Sequence, residues 1–279
     1  MEPKQRVVKP LKERVLPVVK NTQFVWFSGQ VIVLISSVLY ALQAIPFRSA
    51  PPFLFKSAAF GAIVAYAIVL YKTYSPNLTS RASWNKHFFA RLMLDDNVQY
   101  FILALSMLID RPILFSLAPY AIYATFHIST YLRSVLLPAI YPNISDAKTA
   151  SYASRVSNLL NQYTRSQFQP AMQLVASLET FLLFRLFFGV FLRKNSISRL
   201  VGYIFFLRMR YTNSHFTRAS IKAVSLRMDR LVADNRVPPV IKNAWHTFKT
   251  YVSKFGASPV GTAQSRPTAS SSTTAPSST

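Results

Sequence analysis

The sequence predicts an all-α integral membrane protein: about four transmembrane or hairpin helices, a C-terminal basic amphipathic helix and a disordered tail. Three observations predict it. The 279 residues are 51% hydrophobic with a mean hydropathy of +0.23, higher than a chain that must cover itself with polar surface reaches. The net charge is nevertheless +23, from 32 Lys and Arg against 9 Asp and Glu, so basic segments must alternate with apolar ones. Residues 24–45 carry no charge, and as a helix they reach roughly 33 Å, about one hydrocarbon core. With 22 Phe and 14 Tyr, the chain is not a disordered basic protein.

Residues 1–23 form a basic segment, with Lys4, Arg6, Lys9, Lys12, Arg14 and Lys20 against Glu2 and Glu13. That is too long and too charged for the leading part of a secretory signal. The apolar run 24–45 ends in Pro46-Phe47-Arg48 without a small-residue cleavage site, so it reads as a retained anchor. The positive-inside rule then puts residues 1–23 in the cytosol.

A second apolar run, 53–71, follows after a short turn, so the two pair as a helical hairpin. Ser57, Gly61 and Ala65 repeat small residues every fourth position, which either lets another helix backbone approach closely or is simply compatible with lipid. Residues 72–97 read as a polar loop, with Lys72, Arg81, Lys86 and Arg91 suited to the cytosolic side. Asp95 or Asp96 is placed to cap a helix that starts there.

The third region, 98–132, has two readings. Residues 98–109 are apolar but too short to span, Asp110-Arg111-Pro112 interrupts, and 113–132 are apolar again around Pro119. Either 113–132 is a single span, or the two runs form a hairpin with its tip at Asp110-Arg111-Pro112 and both ends cytosolic. A hairpin of that kind that penetrates one leaflet more than the other acts as a wedge. Residues 146–164 fit a polar helix within a mixed loop. Residues 174–192 are the next span candidate, and the short run 200–207 fits an interfacial segment or the return arm of a second shallow hairpin.

Charges in or beside apolar segments are functional suspects. Here they are Lys56, Asp110, Arg111, Glu179 and Arg185. A small transporter or ion-conducting protein would use Glu179 and Arg185, yet six residues of separation turns them about 240° apart on a helix. No internal repeat of the transporter kind accompanies them. Enzyme chemistry is poorly supplied. Cysteine is absent, the glycines are unclustered, and His87, His127, His215 and His246 are each isolated from acids. No nucleophile, metal or phosphate-loop motif appears, so no cofactor is expected.

Residues 193–255 hold 13 basic residues and only Asp229 and Asp234 as acids. Within them, Pro238-Pro239 can start a helix but not sit inside one. On the helix that follows, Val240, Ile241, Ala244, Trp245, Phe248, Tyr251, Val252 and Phe255 fall within an arc of about 140°. Lys242, His246, Lys249 and Lys254 occupy the other side with Asn, Thr and Ser. A basic amphipathic helix with Trp and Phe on its apolar face is the pattern of an interfacial membrane helix. Each cation near an anionic leaflet adds about 1 kcal/mol. Packing on the chain's own membrane helices, or docking of a transport receptor, are the alternatives for that helix. No nucleic-acid module is visible. Residues 256–279 are Ser, Thr, Pro and Ala with one Arg, a composition that cannot build a core and offers hydroxyls for phosphorylation.

The run Arg91-Leu92-Met93-Leu94-Asp95-Asp96-Asn97-Val98-Gln99-Tyr100, its continuation through Pro112 and Pro119 to His127 and Tyr131, and the later stretch FLRMRYTNSHFTRASI at 206–221 resemble the transmembrane protein 33 family, also called the Krüppel homologue 2 family. The likeness extends over about residues 15–255. It implies a non-enzymatic protein of the endoplasmic reticulum membrane and nuclear envelope, multi-pass, with both termini cytosolic. It implies partners among reticulons and related tubule-shaping hairpin proteins, nuclear pore components and an importin, besides the anionic leaflet of the bilayer. It implies a role in organising tubular endoplasmic reticulum and in nuclear pore complex distribution or stability. On this chain the membrane-facing set would be Val240, Ile241, Trp245, Phe248, Tyr251, Val252 and Phe255, and the headgroup or receptor set Lys242, Lys249 and Lys254. The resemblance favours spans at 24–45, 53–71, about 113–132 and 174–192. The expected organisation is a cytosolic segment 1–23, a membrane domain 24–207, a basic helical region 208–255 and the tail 256–279. Asn143-Ile144-Ser145 is a glycosylation sequon whose loop is lumenal with four spans and cytosolic with two hairpins, whereas Asn77-Leu78-Thr79 stays cytosolic in both.

Overall fold

The structure is a computed structural model that describes residues 10–44, 50–78, 85–141, 150–234 and 236–257. Every described element is helical. In chain order these are α1 (Leu11–Val19), α2 (Thr22–Ala44), α3 (Pro52–Leu78), α4 (Lys86–Leu94), α5 (Asp96–Ile109) and α6 (Leu114–Tyr131). A π-helical turn (Leu132–Leu136) leads α6 into α7 (Leu137–Ile140); α8 (Ala150–Phe191), α9 (Ile197–Asn213), α10 (His215–Ala233) and α11 (Pro239–Ala257) follow. Among the described residues, three stretches are long and apolar enough to cross a membrane: Thr22–Ala44, Pro52–Ser75 and Tyr152–Phe191. Helices α4 and α5 make a fourth only if they are taken as one path, bent by 66°.

Three antiparallel pairs follow one another along the chain, and the bundle is closed by α2 packing on α6, α3 on α5 and α6 on α8. In the first, α2 and α3 cross at their small residues. A Cβ added to Gly29 would stand 2.9 Å from the Gly61 carbonyl oxygen, and one added to Gly61 would stand 2.8 Å from that of Gly29. Gly61 and Ala65 are thus the surface on which α2 packs, and Tyr40 closes on Phe55 nearer the turn (ring centroids 5.6 Å apart).

The second pair is α5 and α6. Asp95 ends α4 in extended backbone and caps α5, its carboxylate accepting the Asn97 amide at 2.7 Å. The chain leaves α5 at Asp110, and Pro112 holds the preceding residue away from helical geometry. The tip is therefore short, and Tyr100 on α5 meets Tyr120 and Tyr123 on α6.

The third pair is α8 and α9. From Ala150 on, the expected polar helix, whose start at 146–149 lies outside the described residues, joins the apolar run that follows into one helix of 42 residues, Ala150–Phe191, which continues through Pro170. Arg193, with φ 52°, ends it in the left-handed conformation, and the Lys194 and Asn195 amides donate back to the Gly189 carbonyl at 2.8 and 3.1 Å. The Asn195 side chain occupies the space where a Cβ on Gly189 would be, so a larger residue there would have to displace it. The short run 200–207 proves to be the centre of a 17-residue helix that returns along α8, with the Tyr203 hydroxyl donating to the Glu179 carbonyl at 2.9 Å.

Side-chain pairs fix the helix directions. Tyr66 of α3 stacks on Tyr100 while Tyr74 donates to Asp95, so α3 and α5 are antiparallel; α2 runs against α3 and α6 against α5, which sets α6 against α2 with Trp26 and Phe27 beside His127 and Tyr131. Phe126 meets Tyr163 while Phe115 meets Phe181, so α6 and α8 are antiparallel too. All three tips consequently lie at one end of the bundle. The N-terminal helix α1 and the start of α10 lie at the other. There Arg14 on α1 donates to the Ala139 and Ile140 carbonyls at 3.0 and 3.2 Å, capping the end of α7. Residues 86–94, read from sequence as loop, form α4, capped by Asn85, whose side chain accepts the Phe88 amide at 2.9 Å.

Candidate functional site

Two places concentrate chemistry: a buried knot of charges between α5, α8 and α9, and the surface of α11.

Glu179 stands at the centre of the knot with 1% of its surface exposed. Leaving a carboxylate alone there would cost several kcal/mol. The sequence surrounds it with donors. The Tyr100 hydroxyl donates to its Oε1, and Arg210 Nε lies 3.5 Å from its Oε2. Arg210 then reaches outward. Its Nη1 donates to Asp96 Oδ2 at 2.8 Å, its Nη2 to the Tyr123 hydroxyl at 3.2 Å, and its guanidinium lies over the Tyr100 ring, 5.4 Å from the centroid. Asn213 adds hydrogen bonds to Asp96 and to the Leu94 carbonyl. The knot joins the stretch 91–100 to the stretch 206–221, the two segments whose residue order is most distinctive in the sequence.

Other charges flagged in or near apolar segments are dispersed. Arg185 sits near the end of α8 beside Gly189 and Asn195, away from Glu179. Asp110 at the second tip pairs with Arg199 of α9 at 3.2 Å, and Arg199 also donates to the Arg111 carbonyl at 3.0 Å. Lys56 is exposed near the start of α3. Glu179 and Arg185 form no shared path. Sequence spacing excluded a common face for them but gave no sign that Arg210, 31 positions along the chain from Glu179, is the partner. A lone Arg beside a short apolar run was the only available signal. No group of three or more metal-ligating side chains occurs among the described residues.

The second site is α11. Pro239 opens the helix, where a missing amide hydrogen costs nothing. Its contacts within the bundle are with α9 and α10. One carboxylate makes the attachment: Asp229 on α10 accepts the Trp245 indole N–H at 2.8 Å and the Lys249 ammonium at 2.7 Å. Those two hydrogen bonds, Lys249 first, hold the Asp229 carboxyl below its usual range. The apolar face is otherwise open. Val240 is 77% exposed, Tyr251 69%, Phe248 57% and Ile241 52%. Trp245 is half-buried and stacks at a tilt on Phe248, with centroids 5.7 Å apart. Lys249 and Lys254 are exposed, and Lys242 is half-buried. The side chains of Val252 and Phe255 lie outside the described residues, as do the Asn143 sequon and the tail beyond 257.

The chain matches the family model described as Transmembrane protein 33/Nucleoporin POM33 over residues 5–258. It is 30% identical over 250 residues to "Pore membrane protein of 33 kDa" of Saccharomyces cerevisiae, covering 86% of each chain. It is 29% identical to "Nucleoporin POM33" of Chaetomium thermophilum, over 89% of this chain and 90% of the relative. It is 26% identical to "Transmembrane protein 33 homolog" of Dictyostelium discoideum, over 82% of this chain and 70% of the relative. No solved structure matches. With nearly the whole helical chain covered by one family model, the protein belongs to the Transmembrane protein 33/Nucleoporin POM33 family.

Proposed function

We propose that this chain is a non-enzymatic protein of the endoplasmic reticulum membrane and nuclear envelope that organises tubular membrane and supports nuclear pore complexes. In this reading α11 lies on the anionic leaflet. The observation that carries it is the open apolar face of α11, where Val240, Ile241, Phe248 and Tyr251 are all more than half exposed although a hydrophobic bundle stands beside them. Contiguous apolar surface of that kind, edged by Lys249 and Lys254, suits a headgroup layer. The names of the relatives, a pore membrane protein and a nucleoporin, support the pore assignment. Nuclear pore components, an importin and tubule-shaping hairpin proteins of the reticulon kind are the partners proposed with it.

The helix directions support a hairpin arrangement with both termini cytosolic. With four spans, α2 and the segment around 113–132 would run the same way, whereas α6 runs against α2, because α2 opposes α3, α3 opposes α5 and α5 opposes α6. Helix α5 supplies the extra traverse. At 14 residues it reaches only about 21 Å, less than a hydrocarbon core. Short arms in the second and third hairpins, beside long helices in the first, give a shape that displaces more of one leaflet than the other. Arg14 of α1 and the start of α10 lie at the end opposite the tips, and the positive-inside rule makes that end cytosolic.

The test is the chain carrying Ile241→Asp and Phe248→Asp, expressed in a cell that lacks its own copy. It should reach the membrane at normal abundance yet fail to restore pore distribution and tubular network. Full restoration would show that the apolar face of α11 is not what the protein uses.

A further inference from the structure

We propose that α4 is a second interfacial helix, lying in the headgroup layer at the end of the bundle opposite the hairpin tips, with lipid as its partner. Its orientation comes first. The helix is turned 66° from α5 at Asp95, so if α5 stands near the bilayer normal, α4 lies within about 25° of the bilayer plane. Its level comes next. Immediately after α4 the chain enters the polar layer where Asp96 meets Arg210 and Asn213. Trp26, packed on His127 and Tyr131, stands at the same end. Charged and Trp/Tyr side chains at one level mark the membrane–water boundary.

The faces of α4 agree with that placement. Phe89 and Met93 are four residues apart on one side, 47% and 44% exposed. Arg91, also exposed, projects about 180° from their midpoint at 100° per residue. Phe88, on a flank, packs edge-on against Tyr74 of α3 at 5.9 Å, and the Tyr74 hydroxyl donates to Asp95 at 2.7 Å, fixing the bend. The helix is thus held from the side, with Phe89 and Met93 exposed on one side and Arg91, beside Tyr74 and Asp95, exposed on the other. A helix lying in a headgroup layer needs that arrangement, apolar ridge toward the acyl chains and guanidinium toward phosphate and water. Ile102, Leu105 and Ile109 of α5 are exposed apolar residues as well. The inference does not depend on α11 touching lipid.

The chain has no cysteine, so single-cysteine labelling is direct. Cysteine is placed at Phe89, Arg91 or Met93 of the full-length protein, labelled with an environment-sensitive fluorophore, and reconstituted in vesicles of phosphatidylcholine and phosphatidylserine. Nitroxide lipids labelled near the glycerol or near the chain terminus, and aqueous iodide, serve as quenchers. Positions 89 and 93 should be quenched about twofold more by the shallow nitroxide than by the deep one and be shielded from iodide, with position 91 open to iodide. Equal iodide quenching at all three would put α4 in water and overturn the proposal. Strongest quenching by the deep nitroxide at all three would make α4 the first half of a broken span and overturn it equally.

Discussion

Asp110 and Arg199 meet at 3.2 Å across the tips of two different hairpins. At the other end of the same two helices, Asp96 and Arg210 meet at 2.8 Å. Helix α5 is therefore clamped to α9 at both ends, and a helix too short to span is held in register by charge.

Breaking the tip clamp has a moderate cost. The Arg199 and Asp110 side chains are 11% and 26% exposed, so the pair is only partly desolvated. Arg199→Ala should destabilise the solubilised protein by about 1–3 kcal/mol. That is a fall of several degrees in Tm, and exchanging the two residues should recover part of it.

The inner clamp matters more, because Arg210 answers both Asp96 and the buried Glu179. Arg210→Ala leaves a buried carboxylate without a counter-charge and should cost about 3–5 kcal/mol. Arg210→Ala combined with Glu179→Gln should be less damaging than Arg210→Ala alone. Neutralising Arg185, which takes no part in the knot, should leave pore distribution intact; loss of function there would revive the conduction alternative.

The α2–α3 crossing makes a steric prediction. Gly61→Leu drives a side chain into the Gly29 backbone and should separate the hairpin, whereas Gly202→Ala on α9, with nothing within 4 Å of the added carbon, should be neutral or slightly stabilising. Expression level and Tm of the two variants check it.

The Asp229 latch is pH-dependent with a defined sign. Its folded-state pKa is depressed by Lys249 and Trp245. The contribution to α11 docking is thus fully present above the ordinary carboxylate value of about 3.9 and is lost as pH falls through the lower folded value. Spin labels at Arg227 and Thr247 should report a fixed α10–α11 distance at neutral pH and a broad one under strong acid. Asp229→Asn should broaden it at neutral pH.

Much of this was legible in the sequence, for physical reasons that differ by element. Uncharged length revealed α2 and α3, and strict separation of apolar and cationic positions revealed α11. The Asp95-Asp96 pair announced the start of α5 because a short acceptor before an apolar run suits a helix cap, and the structure gives that role to Asp95. Helix α4 was hidden because its lysine and arginine read as a cytosolic loop, and nine residues are too few for periodicity to outweigh charge. The Arg210–Glu179 partnership was hidden because nothing local links positions 31 apart. The direction of α6 was hidden because hydropathy gives length without sense; long-range contacts such as Tyr66–Tyr100 and Tyr74–Asp95 supply it.

The central claim, three hairpins returning to one side, is tested most directly by single cysteines at Tyr141 and Arg230 in sealed microsomes treated with a membrane-impermeant maleimide. Hairpins predict that both positions react without permeabilisation. Reaction at Arg230 alone, with Tyr141 labelled only after the membrane is opened, would restore the four-span arrangement and contradict the account.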